Sequence, residues 1–237
     1  MKMGCNFSFG VIDNSNLLQE AFRLRYQVYC HECNFIQEKD YPEGFEKDEY
    51  DPYSIEFFAQ DSEMLIGTSR LILDSPLGFP LEEHCKNNLF IDKNSLPRNN
   101  CAEISRLVIS KKCLSKRVKA EIYEKKSLAQ NSDNLMPYLT PLTIGIFREM
   151  YQECERRGID YVYALMERPL FMLLKRRGFA FNPIGEEVDF YGPVRPYLGV
   201  VETLGERILQ KLPRFSKISG QQCISPLALH YSTANNL

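Results

Sequence analysis

The alternation of apolar and polar residues divides the chain into a short series of elements. In "NSNLLQEAFRLRYQVYCHECNF", Leu18, Ala21, Phe22, Arg25, Val28 and Tyr29 follow the i, i+3, i+4 spacing of one helix face, with Asn14 or Ser15 placed to cap it. Arg25 is the one charge on that stripe. It either snorkels at the core edge or meets a carboxylate inside. The loop "IQEKDYPEGFEKDEYDPYS" follows, broken by Pro42 and Gly44 and longer than an ordinary connection, which favours a functional or mobile segment. Two apolar runs, "IEFFAQ" and "MLIGTSRLIL", flank "DSE" and predict a β-hairpin. Strand alternation puts Ile66, Thr68, Arg70 and Ile72 on one face of its second strand. "DSPLGFPLEEHC" reads as a loop entering a short helix, and "CAEISRLVIS" as a strand between Asn99–Asn100 and Lys111–Lys112.

The second half is more regular. "LTPLTIGIFREMYQECERRG" aligns Leu139, Leu142, Thr143, Ile146, Phe147, Met150, Tyr151 and Cys154 on one stripe and stops at Gly158, an amphipathic helix. "IDYVYALM" is apolar throughout and reads as a strand buried on both faces. "RPLFMLLKRRGF" is a short helix with Pro169 near its start and Gly178 past its end. "EEVDFYG" and "RPYLGVVE" suggest further strands, and "TLGERILQKL" a last helix. Helices interrupting strands of mixed direction predict an α/β (α+β) chain. It forms a single domain over 1–237, with one central mixed, twisted sheet flanked by helices. "CAEISRLVIS" and "IDYVYALM" form its parallel, right-handed crossover pair. The polar, basic stretch "KKCLSKRVKAEIYEKKSLAQNSDN" is weakly periodic, so 111–138 reads either as a mobile excursion or as an exposed helix.

Composition narrows the function classes. A net charge of -2 gives no bulk electrostatic case for nucleic-acid binding. No stretch approaches the roughly 18–20 apolar residues of a membrane-spanning helix. "MKMGCNFSFGVIDNSN" lacks a long apolar region, so no secretory signal is expected and a cytoplasmic location is. "MGCNFS" from Met3 fits a loose myristoylation pattern, but Met1 and Lys2 precede it and the match is read as accidental. Without a signal, the eight cysteines are expected as reduced thiols. "CHEC" at Cys30–Cys33 is the only CxxC pair and has no second pair to complete a zinc site, so no metal is expected.

Within this frame the charged residues stand in a telling order. Arg25 and Tyr29 lie on the first helix, and Asp48 and Asp51 stand three apart in the loop. Arg70 lies in the second hairpin strand, and Glu103-Ile104-Ser105-Arg106 in the next strand. This order resembles the acyl-homoserine-lactone (autoinducer) synthases, in which an Arg, two Asp three apart, an Arg and a Glu-x-x-Arg recur. The tail "LLKRRGFAF" resembles the GNAT N-acyltransferase fold. The likeness runs from roughly residue 18 to 110 and weakly to about 200. The autoinducer synthases carry a tryptophan after the first helix; this chain has none, and Phe35 stands in that neighbourhood. The surrounding segments look more like the N-acyl amino acid synthases and the PEP-CTERM (exosortase) system-associated acyltransferases.

The resemblance implies a GNAT-like enzyme that moves a medium- or long-chain acyl group from a thioester to the amine of a small amino acid. It implies no bound cofactor. No Gly-rich phosphate cradle follows "CAEISRLVIS", which favours acyl-carrier protein as donor and partner over acyl-CoA. Two alternatives stay open: a lactone synthase using S-adenosylmethionine, and a silent acyl-binding module that keeps the charges for stability. Amide formation needs a neutral amine, donors for the oxyanion and a proton or positive field for the thiolate. Glu103 and Arg106 are the candidate catalytic residues, with Glu103 either a general base or an ion-pair scaffold. Strict alternation would place these two on opposite faces, unless a β-bulge intervenes. Arg25, Tyr29, Phe35, Asp48, Asp51, Arg70 and Ser105 are the candidate substrate-binding residues. Asp48 and Asp51 either bind the acceptor's ammonium or lock the loop against Arg25 and Arg70. The basic "SKKCLSKRVKAEIYEKK" is either a solvated segment or a docking surface for an acidic carrier.

Overall fold

Seven strands run side by side in the order β1-β2-β3-β4-β5-β8-β6, with β7 paired to β8 off that path. They are β1 Phe7–Val11, β2 Ser54–Asp61, β3 Met64–Leu73, β4 Cys101–Ile109, β5 Tyr161–Met166, β6 Phe181–Pro183, β7 Val188–Asp189 and β8 Pro193–Val200. The computed structural model describes residues 7–92, 95–116 and 135–204, with a small hairpin of β9 (Lys217–Ile218) and β10 (Gln221–Gln222). Every neighbouring pair is antiparallel except β4 and β5, the expected crossover.

Two helices cover opposite faces. The first, α1, is Ser15–Tyr26, capped by the Asn14 side chain, which accepts from the Leu17 N–H. It packs Ala21 and Leu24 against Leu65 and Val108. The chain then continues into a π-helical turn, Gln27–Glu32, where a straight helix was expected. Such turns are rare and concentrate at functional sites. A short α2 (Pro80–His84) and a helix α3 over 111–116 follow. The long α4, Met136–Arg157, ends at Gly158 with φ +69°. It buries Leu142, Ile146, Phe147, Met150 and Cys154 against the other face, among Phe7, Phe57 and Ile66. Leu65 and Ile66 are neighbours on β3, so alternation sends one to each helix. Gly145 permits the closest approach, because a Cβ there would lie 2.3 Å from the Phe9 ring. α5 is Arg168–Arg177.

Two expectations are revised, and two fall largely outside the described residues. β1 extends the sheet beyond the hairpin, built on Phe7 and Phe9. "EEVDFYG" yields only Val188–Asp189; Tyr191 and Gly192, at φ +56° and +119°, turn the chain back into β8. The last helix is described over 201–204 only, and 117–134 of the basic stretch lie outside the described residues.

The pairing of β4 with β5 positions the site. It covers only Cys101–Ile104 against Tyr161–Ala164. Past Ile104, β4 stays with β3 while β5 stays with β8. The two central strands part there, and a slot opens between them.

Candidate active site

Three arginines and three carboxylates close into a ring beside that slot. Arg25 reaches Asp51 at 2.7 and 3.2 Å, and Asp51 is shared with Arg70 at 2.6 Å. Arg70 grips Asp48 at 2.6 and 3.0 Å, and Asp48 is shared with Arg106 at 2.8 Å. Arg106 donates to Glu46 at 3.0 Å, and Glu46 accepts in turn from the Arg25 Nε. Charges alternate around the whole circuit. Arg25 and Arg70 are both 0% exposed. An unpaired guanidinium at such depth would be several kcal/mol unfavourable, so the ring is a condition of folding as well as a feature of the site.

Each member is set by its own element. Arg25 is the odd charge on the α1 stripe. Arg70 comes from β3 and also donates from Nε to the Ser105 hydroxyl at 3.0 Å. Asp48 and Asp51 act as turn residues and as ring members together. Asp51 accepts from the Asp48 N–H at 2.7 Å, and Asp48 from the Tyr50 N–H at 2.9 Å. Arg106 reaches the ring because β4 bulges there: its φ is +52° and the pairing with β3 slips between Thr68 and Arg70. That left-handed residue breaks the alternation and brings Glu103 and Arg106 to one cavity.

Two further carboxyls lie in this region, and the three arginines are already matched. Glu56 bonds Arg25 at 2.9 Å, yet burial pushes its carboxyl up to about 7 against the pull of Arg25. Glu103 is 3% exposed and accepts from the Leu81 N–H at 2.9 Å. Burial pushes it up to about 8, against the Leu81 N–H, Arg70 and Arg106. Burial also opposes ionisation of Asp48 and Asp51, but there Arg70 and Arg25 prevail and hold both below the usual carboxylate range. One neighbourhood thus keeps two carboxylates ionised and two carboxyls poised to hold a proton.

The slot is a cavity of about 410 Å³. Glu46, Glu103, Ser105, Arg106 and His84 form its polar wall, and Ile104, Leu107, Phe147, Met166 and Leu170 its apolar arm. Aromatic rings line the rim in sequence: Tyr29 on Phe35 at 6.1 Å, Phe35 on Tyr191 at 5.4 Å, Tyr191 on Phe190 at 4.7 Å, and Phe190 on His84 at 3.9 Å. The Arg106 guanidinium lies 5.7 Å from the centre of the Tyr29 ring.

Of the residues singled out from sequence, Tyr29, Phe35, Glu103, Ser105 and Arg106 line this cavity. Arg25, Asp48, Asp51 and Arg70 join the ring behind it. Sequence reading missed Glu46, Glu56 and His84. Glu56 had a signal, a charge inside an otherwise apolar strand, and it stands opposite Arg70 in the β2–β3 register. Glu46 had none that sets it apart from Glu43 or Glu49 in the same acidic loop.

Residues 24–123 match the family model described as an acetyltransferase (GNAT) domain. No curated protein sequence matches the chain. Solved structures do. TofI, in a ternary complex with an inhibitor and MTA, has 16% identity and a TM-score of 0.61, over 88% of this chain and 98% of that one. MesI, a CoA-dependent acyl-homoserine lactone synthase, has 17% identity and a TM-score of 0.58, over 85% and 92%. FeeM, an N-acyl amino acid synthase from uncultured soil microbes, has 14% identity and a TM-score of 0.53, over 86% and 96%. The chain therefore has the GNAT fold in the form shared by these solved structures.

Proposed function

We propose that this chain is an N-acyltransferase that moves a medium- or long-chain acyl group from a carrier-protein thioester to the amine of an amino acid. The observation that carries the reading is the two-sided slot between β4 and β5. One wall is charged and ends in Glu103 and Arg106; the other arm is apolar and suits a hydrocarbon tail. Each buried methylene contributes about 0.8 kcal/mol, so the apolar arm can supply most of the donor's affinity. The thioester carbonyl then lies where the two walls meet. The acceptor's lone pair attacks the carbonyl carbon, Glu103 in its ionised form takes an amine proton, and the Arg106 charge stabilises the oxyanion or the departing thiolate. Positioning in the slot supplies much of the rate, and no covalent enzyme intermediate is needed.

A carrier-bound donor fits the start of α3. The Glu32 carboxylate accepts there from the Ser110 hydroxyl at 2.6 Å and the Lys111 N–H at 2.8 Å. A negative group already sits where a nucleotide diphosphate following β4 would seek backbone donors. The second reading is a lactone synthase using S-adenosylmethionine, and the likeness to MesI, a lactone synthase, supports it. Thiol release from acyl-carrier protein and acyl-CoA, each with free amino acids or with S-adenosylmethionine and with mass detection of product, separates the readings. Acyl amino acid from the carrier donor is expected. A lactone product selects the second reading, and no thiol release from any donor overturns both.

A further inference from the structure

The geometry points to His84 as the group that receives the acceptor's first proton and passes it to water. The inference rests on the acyl-transfer reading above and adds a step to it. An amino acid reaches the site as an ammonium, and its nitrogen must lose two protons to become an amide. One leaves before attack, freeing the lone pair that forms the N–C bond. The other leaves once that bond exists. The C–S bond breaks with its electron pair on sulfur, and the thiolate takes up one proton. Ammonium and thioester therefore become amide, thiol and one proton released to solvent.

Glu103 can carry only the internal transfer, from nitrogen to sulfur. It is 3% exposed, pinned by the Leu81 N–H, and meets water only through the cavity it lines. His84 stands one helical turn further along the same short helix. It lines the same cavity and is exposed on its outer side. Among the described residues, its ring nitrogens make no hydrogen bond; its close neighbour is the Phe190 ring at 3.9 Å, which fixes the imidazole plane. A histidine with both a cavity side and a water side, and no competing bond, is built to pass a proton.

The charges facing it suit release as well as uptake. Burial holds the imidazole below its ordinary 6.5; Glu83 on its own helix opposes this, and Arg106 from β4 reinforces it. The ring is therefore neutral at pH 7, ready to accept, and Arg106 disfavours retention of the proton.

The test is the pH profile of thiol release in the full chain, with a carrier-bound acyl donor and an amino acid acceptor. His84→Phe keeps the stack on Phe190 and removes the proton acceptor; His84→Ala opens space for added imidazole. In the wild type, kcat/KM should fall on an acid limb that begins at about 8, where Glu103 takes up a proton, and should steepen below pH 6.5, where His84 does so too. In His84→Phe, kcat at pH 7 should drop about 10²-fold with donor KM unchanged. Its rate should then climb with pH about tenfold per unit more steeply than the wild type's, because it tracks the free amine as well as the ionised Glu103. Imidazole should restore His84→Ala. A His84→Phe profile that overlays the wild type, or an absence of imidazole rescue, overturns the role of His84 and leaves the acyl-transfer reading standing. Absence of wild-type thiol release with every donor overturns that reading and this step together.

Discussion

The charged ring and the apolar arm share strand β4 but hold their shapes by different means. The ring is over-determined. Each of its carboxylates bridges two arginines, so no member moves without unpairing a neighbour. The arm is held by packing, with Ile104 and Phe147 shared between the slot and the core behind it. Ion pairs in a dry setting fix positions sharply and fail abruptly, whereas apolar contacts yield by degrees. On the proposed acyl-transfer reading, the first suits the reacting atoms, and the second suits a tail whose length differs among donors. Substitutions on the two sides should therefore have different signatures.

The largest effect belongs to the ring. Arg70→Ala removes the cation shared by Asp48 and Asp51 and strands their charge beneath the surface. Stability should fall by about 3–5 kcal/mol, with turnover lost as well. Urea unfolding measures this, and an unchanged midpoint would mean that the ring is structurally idle. Glu103→Gln sits where the two regions meet. Glutamine can still accept from the Leu81 N–H, so the fold should survive while thiol release falls by about 10²–10⁴-fold. Turnover within a few-fold of wild type would exclude the base role.

The same residue gives a pH signature with a defined sign. Between the ordinary carboxylate value of 4.5 and their own values of about 7 and about 8, Glu56 and Glu103 hold protons in the folded state that the unfolded chain has released. Stability from these groups is complete below 4.5 and is lost as pH rises through 7 and 8. Asp48 and Asp51, held below 3.8, act in the opposite sense and lose their contribution as pH falls. The urea midpoint should decline as the solution moves from mildly acidic to mildly alkaline, and the decline should be shallower in Glu103→Gln. Parallel slopes in the two proteins would place the Glu103 proton elsewhere.

How much of this could be read in the sequence depended on the kind of signal. The α1 stripe, the hairpin, the crossover strands and the α4 stop at Gly158 all rest on periodicity and stop residues, which are local. Arg25, Asp48, Asp51, Arg70 and Arg106 were legible as an ordered set through the resemblance to the autoinducer synthases, and Arg25 on an apolar stripe and Arg70 inside a strand also called for partners. Their closure into a ring depended on Glu46, one carboxylate among several in an acidic loop, and only the fold distinguishes it. The Arg106 bulge left no mark either, since a left-handed arginine looks like any other in a strand. His84 ended a short helix and reached the slot only through the parting of β4 and β5. What was lost, then, was what chain crossings create: which of several like residues meet, and on which side of a sheet.

The smallest expected effect tests the arm. Phe147 lines the slot and also borders a second void of about 10 Å³, lined in addition by Met150, Phe179 and Phe181. Its ring meets those of Phe179 and Phe181 edge-on at 5.5 and 6.4 Å. Phe147→Leu gives up these aromatic contacts and should lower stability by about 1–2 kcal/mol, less than opening the ring does. It also thins the partition between slot and void, leaving room for one or two more methylenes. At about 0.8 kcal/mol for each methylene, donor affinity should rise about fourfold per added carbon until the new space is filled. Donor KM across a series of acyl lengths reads this directly, with kcat for the preferred donor held near wild type. A shifted optimum with an intact ring would show that length selection and chemistry are separable along one strand. An unmoved optimum would mean that the tail ends short of Phe147, and that the arm's length is set nearer its mouth, at Leu107 or Leu170.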